Sequence, residues 1–231
     1  MKIDLCEQGS DEWLKLKWGK IGGTRFGQLI SSRDNVLKYE ILKELIGEWV
    51  PDFTDVWISE DMQYGIDSEP IARGILERIE NIKIEQCGAI LSDFCKLSMA
   101  SPDGIHKIEG GKIVHEIKST RNEATHIKRM FEGIDDKHLP QCLNYFCQSN
   151  DVKEVWYTSF CGFHANKKTV TIKLNRDSII EATKATAKNP SIDITVQMKV
   201  DESIAKLKAF ETESENMITE YKNLIFKKQN K

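Results

Sequence analysis

The chain has 231 residues, of which 40 % are hydrophobic and 30 % charged, with a net charge of −3. That length can bury a full core and points to one domain, and no apolar run approaches a transmembrane span. The charge balance neither announces a nucleic-acid partner nor excludes one, because basic residues need only be local.

The opening Met1–Cys6 lacks the apolar stretch of a secretory signal, so a cytoplasmic location, in a bacterium or a phage-infected host cell, is expected. Helices are predicted over Ser10–Trp18, Thr24–Ser31 and Asn35–Glu48, the last with Val36, Tyr39, Ile41, Leu42, Leu45 and Ile46 on its apolar face. Pro70 suits the first turn of a further helix, capped by Ser68 or Asp67, with Ile71, Ile75, Leu76 and Ile79 facing a core. Glu69 would then stand at the helix start, where the dipole favours a carboxylate. Strands are predicted over Cys87–Ser92, Cys95–Ala100 and Lys112–Ser119, then a helix over Glu123–Phe131 and another beginning with Leu139–Phe146, which carries Gln141. Val152–Phe160 and Thr169–Leu174 return as strands. The expected fold class is α/β (α+β), a central mixed sheet flanked by helices. Residues 1–200 would form the main domain. Residues 201–231 would be an amphipathic helix with a stripe of Ile204, Leu207, Phe210, Met217, Ile218, Tyr221, Leu224 and Ile225, either packed on that domain or making an oligomer contact.

Two short strings carry the chemistry: Ser101-Pro102-Asp103-Gly104 and His115-Glu116-Ile117-Lys118. In a strand, residues i and i+2 share a face, so Glu116 and Lys118 project together while His115 and Ile117 point away. If the strand ending near Ala100 pairs with the one around Ile113–Lys118, Asp103 arrives beside Glu116. Two carboxylates and an ammonium on one surface suit metal-assisted phosphodiester hydrolysis. A surface hairpin with a cross-strand ion pair would carry the same three residues. Gln141 and Tyr145, four apart on a helix, share a face.

Taken in order, Gly65-x-x-x-Glu69-Pro70-x-Ala72-Arg73, Ser101-Pro102-Asp103-Gly104, Glu116-Ile117-Lys118 and Gln141-x-x-x-Tyr145 resemble the lambda-exonuclease-like family, or YqaJ viral recombinases, a RecB-type branch of the PD-(D/E)xK nucleases. Trp13 to Thr24 is similar to the family's opening W-x-x-x-R-x-G-x-I-T-A-S, and the whole resemblance spans roughly residues 8–160. It implies a restriction-endonuclease-like core and a magnesium-dependent 5′→3′ exonuclease, with manganese as a substitute. Such an enzyme degrades one strand of double-stranded DNA from its ends and leaves 3′ overhangs for a single-strand-annealing recombinase. A homotrimeric ring is implied as well, and no membrane.

Residue by residue, the resemblance makes Asp103, Glu116 and the Ile117 carbonyl magnesium ligands, with Glu69 a further metal-side carboxylate. Lys118 would orient or activate water and stabilise charge on the phosphate, Gln141 would support the nucleophile side, and Tyr145 would buttress the site. A terminal 5′-phosphate would lie against Lys17, Thr24 and Arg25, with Arg73 and Arg121 as further DNA contacts. Here the chain departs from the family, with Lys17 for an arginine and Gly22-Gly23-Thr24 for Thr-Ala-Ser; lysine lacks the bidentate geometry of arginine. Gly22-Gly23 reads equally as a plain turn before a helix.

Basic residues fall into three groups: Lys15, Lys17, Lys20 and Arg25; Lys118, Arg121, Lys128 and Arg129; and Lys167, Lys168, Lys173 and Arg176, the last read as a solvated β edge. Cys6, Cys87, Cys95, Cys142, Cys147 and Cys161 include no CxxC pair, so no zinc site is expected. Nor is an iron–sulfur cluster expected, since Cys142 and Cys147 diverge on a helix; with Cys161 they are read as buried thiols. The competing readings are a RecB-type endonuclease or single-strand nuclease, a catalytically inactive DNA-end-binding module, and a small-molecule phosphohydrolase.

Overall fold

The computed structural model describes residues 1–32, 35–48, 59–182 and 191–229. In chain order the elements are β1 (Lys2–Asp4), α1 (Asp11–Lys17), α2 (Gly23–Ser31), α3 (Asn35–Gly47), α4 (Glu60–Glu80), β2 (Ala89–Leu91), β3 (Met99–Ala100), β4 (Gly104–Ile108) and β5 (Gly111–Ser119). There follow α5 (Glu123–Glu132), α6 (Leu139–Phe146), β6 (Val152–Phe160), β7 (Thr169–Asn175), β8 (Ile179–Ala182), β9 (Asp193–Thr195) and α7 (Val196–Gln229).

The central sheet runs β4-β5-β6-β7, antiparallel at both margins and parallel between β5 and β6. A parallel pair needs a long crossover, which α5 and α6 supply. One face of this sheet carries Ile105, Val114, Val155 and Tyr157 into the main core with Phe146 and Phe210. The other face sets Ile117 and Phe160 against Ala72 and Ile75 of α4. β1, β2 and β3 form a separate antiparallel sheet, and β8 pairs with β9. The mixed α/β class is as expected.

Three expectations give way. First, the helix of Glu69 does not start at Pro70. It starts ten residues earlier, where Ser59 Oγ accepts from Met62 N at 3.2 Å and Glu60 and Asp61 occupy the first turn. Pro70 lies inside on an exposed side, so the Ile66 carbonyl it deprives of a donor can turn to water. Glu69 therefore owes nothing to a helix end. The longer helix also turns Ile71 and Ile79 outward, at 59 % and 65 % exposure, while Leu76 is buried.

Second, β3 pairs with β2, and it is β4, unforeseen in the sequence, that pairs with β5. Gly104 opens β4 because a Cβ there would collide with Ile84 Cγ2, next to the bridge from Glu85 to Ile105. Third, the terminal helix starts at Val196, and its Val196, Val200, Leu207, Phe210 and Ile218 belong to the main core. Packing on the domain explains that half of the stripe; the side chains of Leu224 and Ile225 lie outside the described residues, as does that of Val36. No helix among the described residues is long and apolar enough to cross a membrane.

Candidate active site

The register of β4 on β5 sets Gly104 opposite His115, which brings Asp103 opposite Glu116. Asp103 N donates to the His115 carbonyl at 3.1 Å, and its Oδ2 accepts from Ile117 N at 2.5 Å. The carboxylate is thus fixed by the backbone of the strand whose side chain it faces. Glu116 is fully buried; Tyr145 Oη donates to its Oε2, and Tyr145 in turn accepts from Gln141 Nε2 at 3.3 Å. The other carboxylate oxygen, Oε1, is paired with the Lys118 ammonium. On the far face, His115 Nε2 meets His106 Nδ1 at 2.7 Å beside Trp156, a buried polar pair beneath the site.

Glu69 reaches the same place from α4. Its carboxylate pairs with Arg73 one turn on, and Arg73 Nη2 also donates to the Asp103 carbonyl at 3.0 Å. With its amide turned to satisfy both groups, Gln86 Oε1 accepts from Arg73 Nη1 and Nη2 at 3.0 and 3.1 Å. Arg73 is therefore a buried strut holding two of the acids, not a side chain presented to DNA, which corrects its expected role as a phosphate contact. Its spacing from Glu69 was legible in the sequence; nothing there marked Gln86.

Three acids stand here against two cations, and the imbalance shows in their titration. Burial, then the charge of Asp103, pushes Glu116 up to about 7. Burial and Asp103 likewise raise Glu69 to about 7, against the pull of Arg73 and Lys118. Asp103 is also raised by burial, although Lys118, the Ile117 amide and Arg73 oppose the shift. Burial alone would lower Lys118, but the carboxylates of Glu116 and Asp103 outweigh it and hold the ammonium protonated. Three carboxylates gathered against two cations, two of the acids pushed up to about 7, suit a hard cation. Among the described residues no three His, Cys, Asp or Glu side chains converge closely enough to hold a metal by themselves. Carboxylate oxygens are hard donors, the kind that oxygen-preferring cations take.

The expected phosphate segment is placed differently. α2 starts beside the site: a Cβ on Gly23 would lie 3.4 Å from Gln141 Cγ, and Thr24 is exposed there. Lys17 lies over the Trp13 ring, 3.9 Å from its centroid. Arg25, however, is engaged at the end of α3, with Nε 3.1 Å from Glu44 Oε2 and Nη2 2.5 Å from Oε1 of Glu48, the residue just after the helix. Arg121 leaves β5 at the site's rim and bonds the Glu60 carbonyl at 3.2 Å. Arg129 is buried against Asp135 and the Lys118 carbonyl, and Arg176 bonds the carbonyls of Phe146 and Ser149, so neither belongs to a free basic patch.

The comparisons with known proteins identify a family and a fold. A family model described as the YqaJ-like viral recombinase domain matches residues 12–151, a span that contains every acid of the site and both Lys118 and Tyr145. The chain belongs to the YqaJ-like viral recombinase domain family. Its fold is that of an alkaline exonuclease from Laribacter hongkongensis, to which it is 19 % identical with a TM-score of 0.72, over 94 % of this chain and 99 % of the other. The same enzyme in complex with dAMP matches equally well. A phage-related exonuclease from Haemophilus somnus 129PT is 10 % identical with a TM-score of 0.50, over 90 % and 98 % of the two chains. No curated protein sequence matches. Family and fold together place the chain among the DNA nucleases.

Proposed function

We propose that this YqaJ-family protein is a magnesium-dependent exonuclease that digests one strand of double-stranded DNA in the 5′→3′ direction, leaving a 3′ overhang for an annealing recombinase. One observation carries the chemistry: Asp103 and Glu116 face each other across β4 and β5, with Lys118 on Glu116, where parallel strands β5 and β6 end. Ligands bind outside the carboxyl ends of such strands. The start of α2 against Gln141 supports a terminal phosphate lying beside the scissile bond.

Asp103, Glu116 and the Ile117 carbonyl would hold the magnesium, with Glu69 on its water side. Bound there, the ion supplies an acidified water and a counter-charge for the phosphoryl oxygens. The remaining work falls to the chain. Tyr145 and Gln141 fix the Glu116 carboxylate, and Arg73 fixes Glu69 and the backbone at Asp103. Lys118 offers its positive charge where negative charge grows on the phosphate.

A linear duplex with a 5′-phosphate on one end only, sampled over time in magnesium, tests this reading. Nucleotides should be lost from the phosphorylated 5′ strand first. Loss from 3′ ends, or internal cuts, would overturn the polarity; binding without cutting in magnesium or manganese would favour an inactive DNA-end module.

A further inference from the structure

We infer that Tyr64, Phe163 and Arg121 form a stacking platform for a nucleobase of the strand entering the active site, a binding role that rests on the DNA-cutting function proposed above. The three residues come from separate parts of the chain and meet at one end of the sheet. β5 and β6 are parallel, with Lys118 opposite Ser159 and Ser119 opposite Phe160, so the loops that follow them leave from the same end. Arg121 lies three residues beyond Lys118 and Phe163 three beyond Phe160. Tyr64, on α4, precedes Glu69 by five residues, about 7.5 Å of helix rise.

Their geometry is that of a built surface. The Tyr64 and Phe163 rings stack with centroids 6.1 Å apart and planes at 18°. Gly162 N donates to Tyr64 Oη at 3.4 Å, and a Cβ at Gly162 would come within 3.2 Å of that oxygen, so a glycine lets the loop settle on the ring. The Arg121 guanidinium lies 5.1 Å from the Tyr64 centroid, steadied by the Glu60 carbonyl at 3.2 Å and its carboxylate at 3.6 Å.

Phe163 nevertheless stays 64 % exposed. A ring held rigid on one side and open on the other suits a flat aromatic ligand, and the guanidinium beside it suits a phosphate. Bases stack on such aromatic surfaces whatever their identity, which matches an enzyme that must accept each nucleotide in turn. The equally conspicuous Phe131, 82 % exposed on α5, has no stacked ring partner among the described residues and serves as the control.

The test places 2-aminopurine at each of the first three 5′ positions of a duplex and measures its fluorescence on binding, in a Lys118→Ala background that leaves the DNA uncut. Binding should quench the probe at one position. Adding Phe163→Ala should abolish that quenching and weaken binding by roughly 5- to 150-fold, the worth of one base stack. Phe163→Trp should keep both properties, and Phe131→Ala should change neither. Unaltered quenching and affinity in the Phe163→Ala protein, with wild-type protein still cutting DNA, would overturn the platform alone. Failure of the wild-type protein to bind or cut duplex DNA would remove the DNA reading and the platform together.

Discussion

Two regions of this molecule concentrate charged residues near the sheet's open end, and they behave oppositely. Around Glu116, acids and cations distant in sequence are brought together by strand register, buried, and left with more negative charge than Lys118 and Arg73 offset. Around α1 and α2, Lys17 and Arg25 are near neighbours in sequence, yet one lies on a tryptophan ring and the other is neutralised by Glu44 of α3 and Glu48 just beyond it. Proximity along the chain makes a cluster of charged letters. Only the fold decides whether the charge is available, and uncompensated charge is found where the register creates it.

The largest effect should come from Lys118→Ala. Removing the ammonium paired with Glu116 should slow strand cleavage by ~10²–10³-fold or more while DNA binding persists, as measured by single-turnover digestion beside a gel-shift titration. Cutting at the normal rate would show that the charge at this end of β5 is incidental. Next comes Arg73→Met, which strips Glu69 of its partner and releases the Asp103 carbonyl. Breaking a largely buried pair should cost about 3 kcal/mol of stability, visible in urea denaturation.

Glu116→Gln should act in the other direction on stability. The folded carboxyl titrates near 7 against an ordinary 4.5, so between these values the folded state holds more protons than the unfolded. Wild-type stability therefore falls as pH rises from about 4.5 through 7, and the loss is complete above 7. Glutamine does not titrate and leaves two acids facing two cations. In chelator at pH 8 the variant should be more stable than wild type by on the order of 1–3 kcal/mol, with a flatter profile of Tm against pH. Equal Tm values at pH 8 would mean the acids are compensated after all. The smallest effect should be that of Arg25→Ala. Half-exposed pairs contribute little, so stability should change by less than about 1 kcal/mol and the preference for a 5′-phosphorylated end by less than about threefold. A tenfold loss of that preference would return Arg25 to the phosphate site.

The site was more legible in the sequence than the fold that builds it. Asp103, Glu116 and Lys118 could be named because period-two geometry and a short turn restrict what such spacing can do. The strand that delivers Asp103 could not, since β4 is five residues long and carries Gly and His where a strand signal would be sought. The start of α4 was missed because Pro70 is a strong local signal for a helix start, while the exposed side on which it is tolerated is a property of the folded chain. Arg73 read as a DNA contact because a guanidinium one turn from a carboxylate looks the same on paper whether it faces inward or outward. Tyr64 and Phe163, 99 residues apart, leave no joint trace in the sequence at all.

The central claim is that the acids around Glu116 are a catalytic metal site. The most direct measurement is digestion of one linear duplex by wild-type and Glu116→Gln protein, side by side, in magnesium and after chelation. Wild-type protein should cut only when the metal is present, and the variant under neither condition although it still binds the duplex. Cutting by wild-type protein in chelator, or normal cutting by the variant in magnesium, would contradict it.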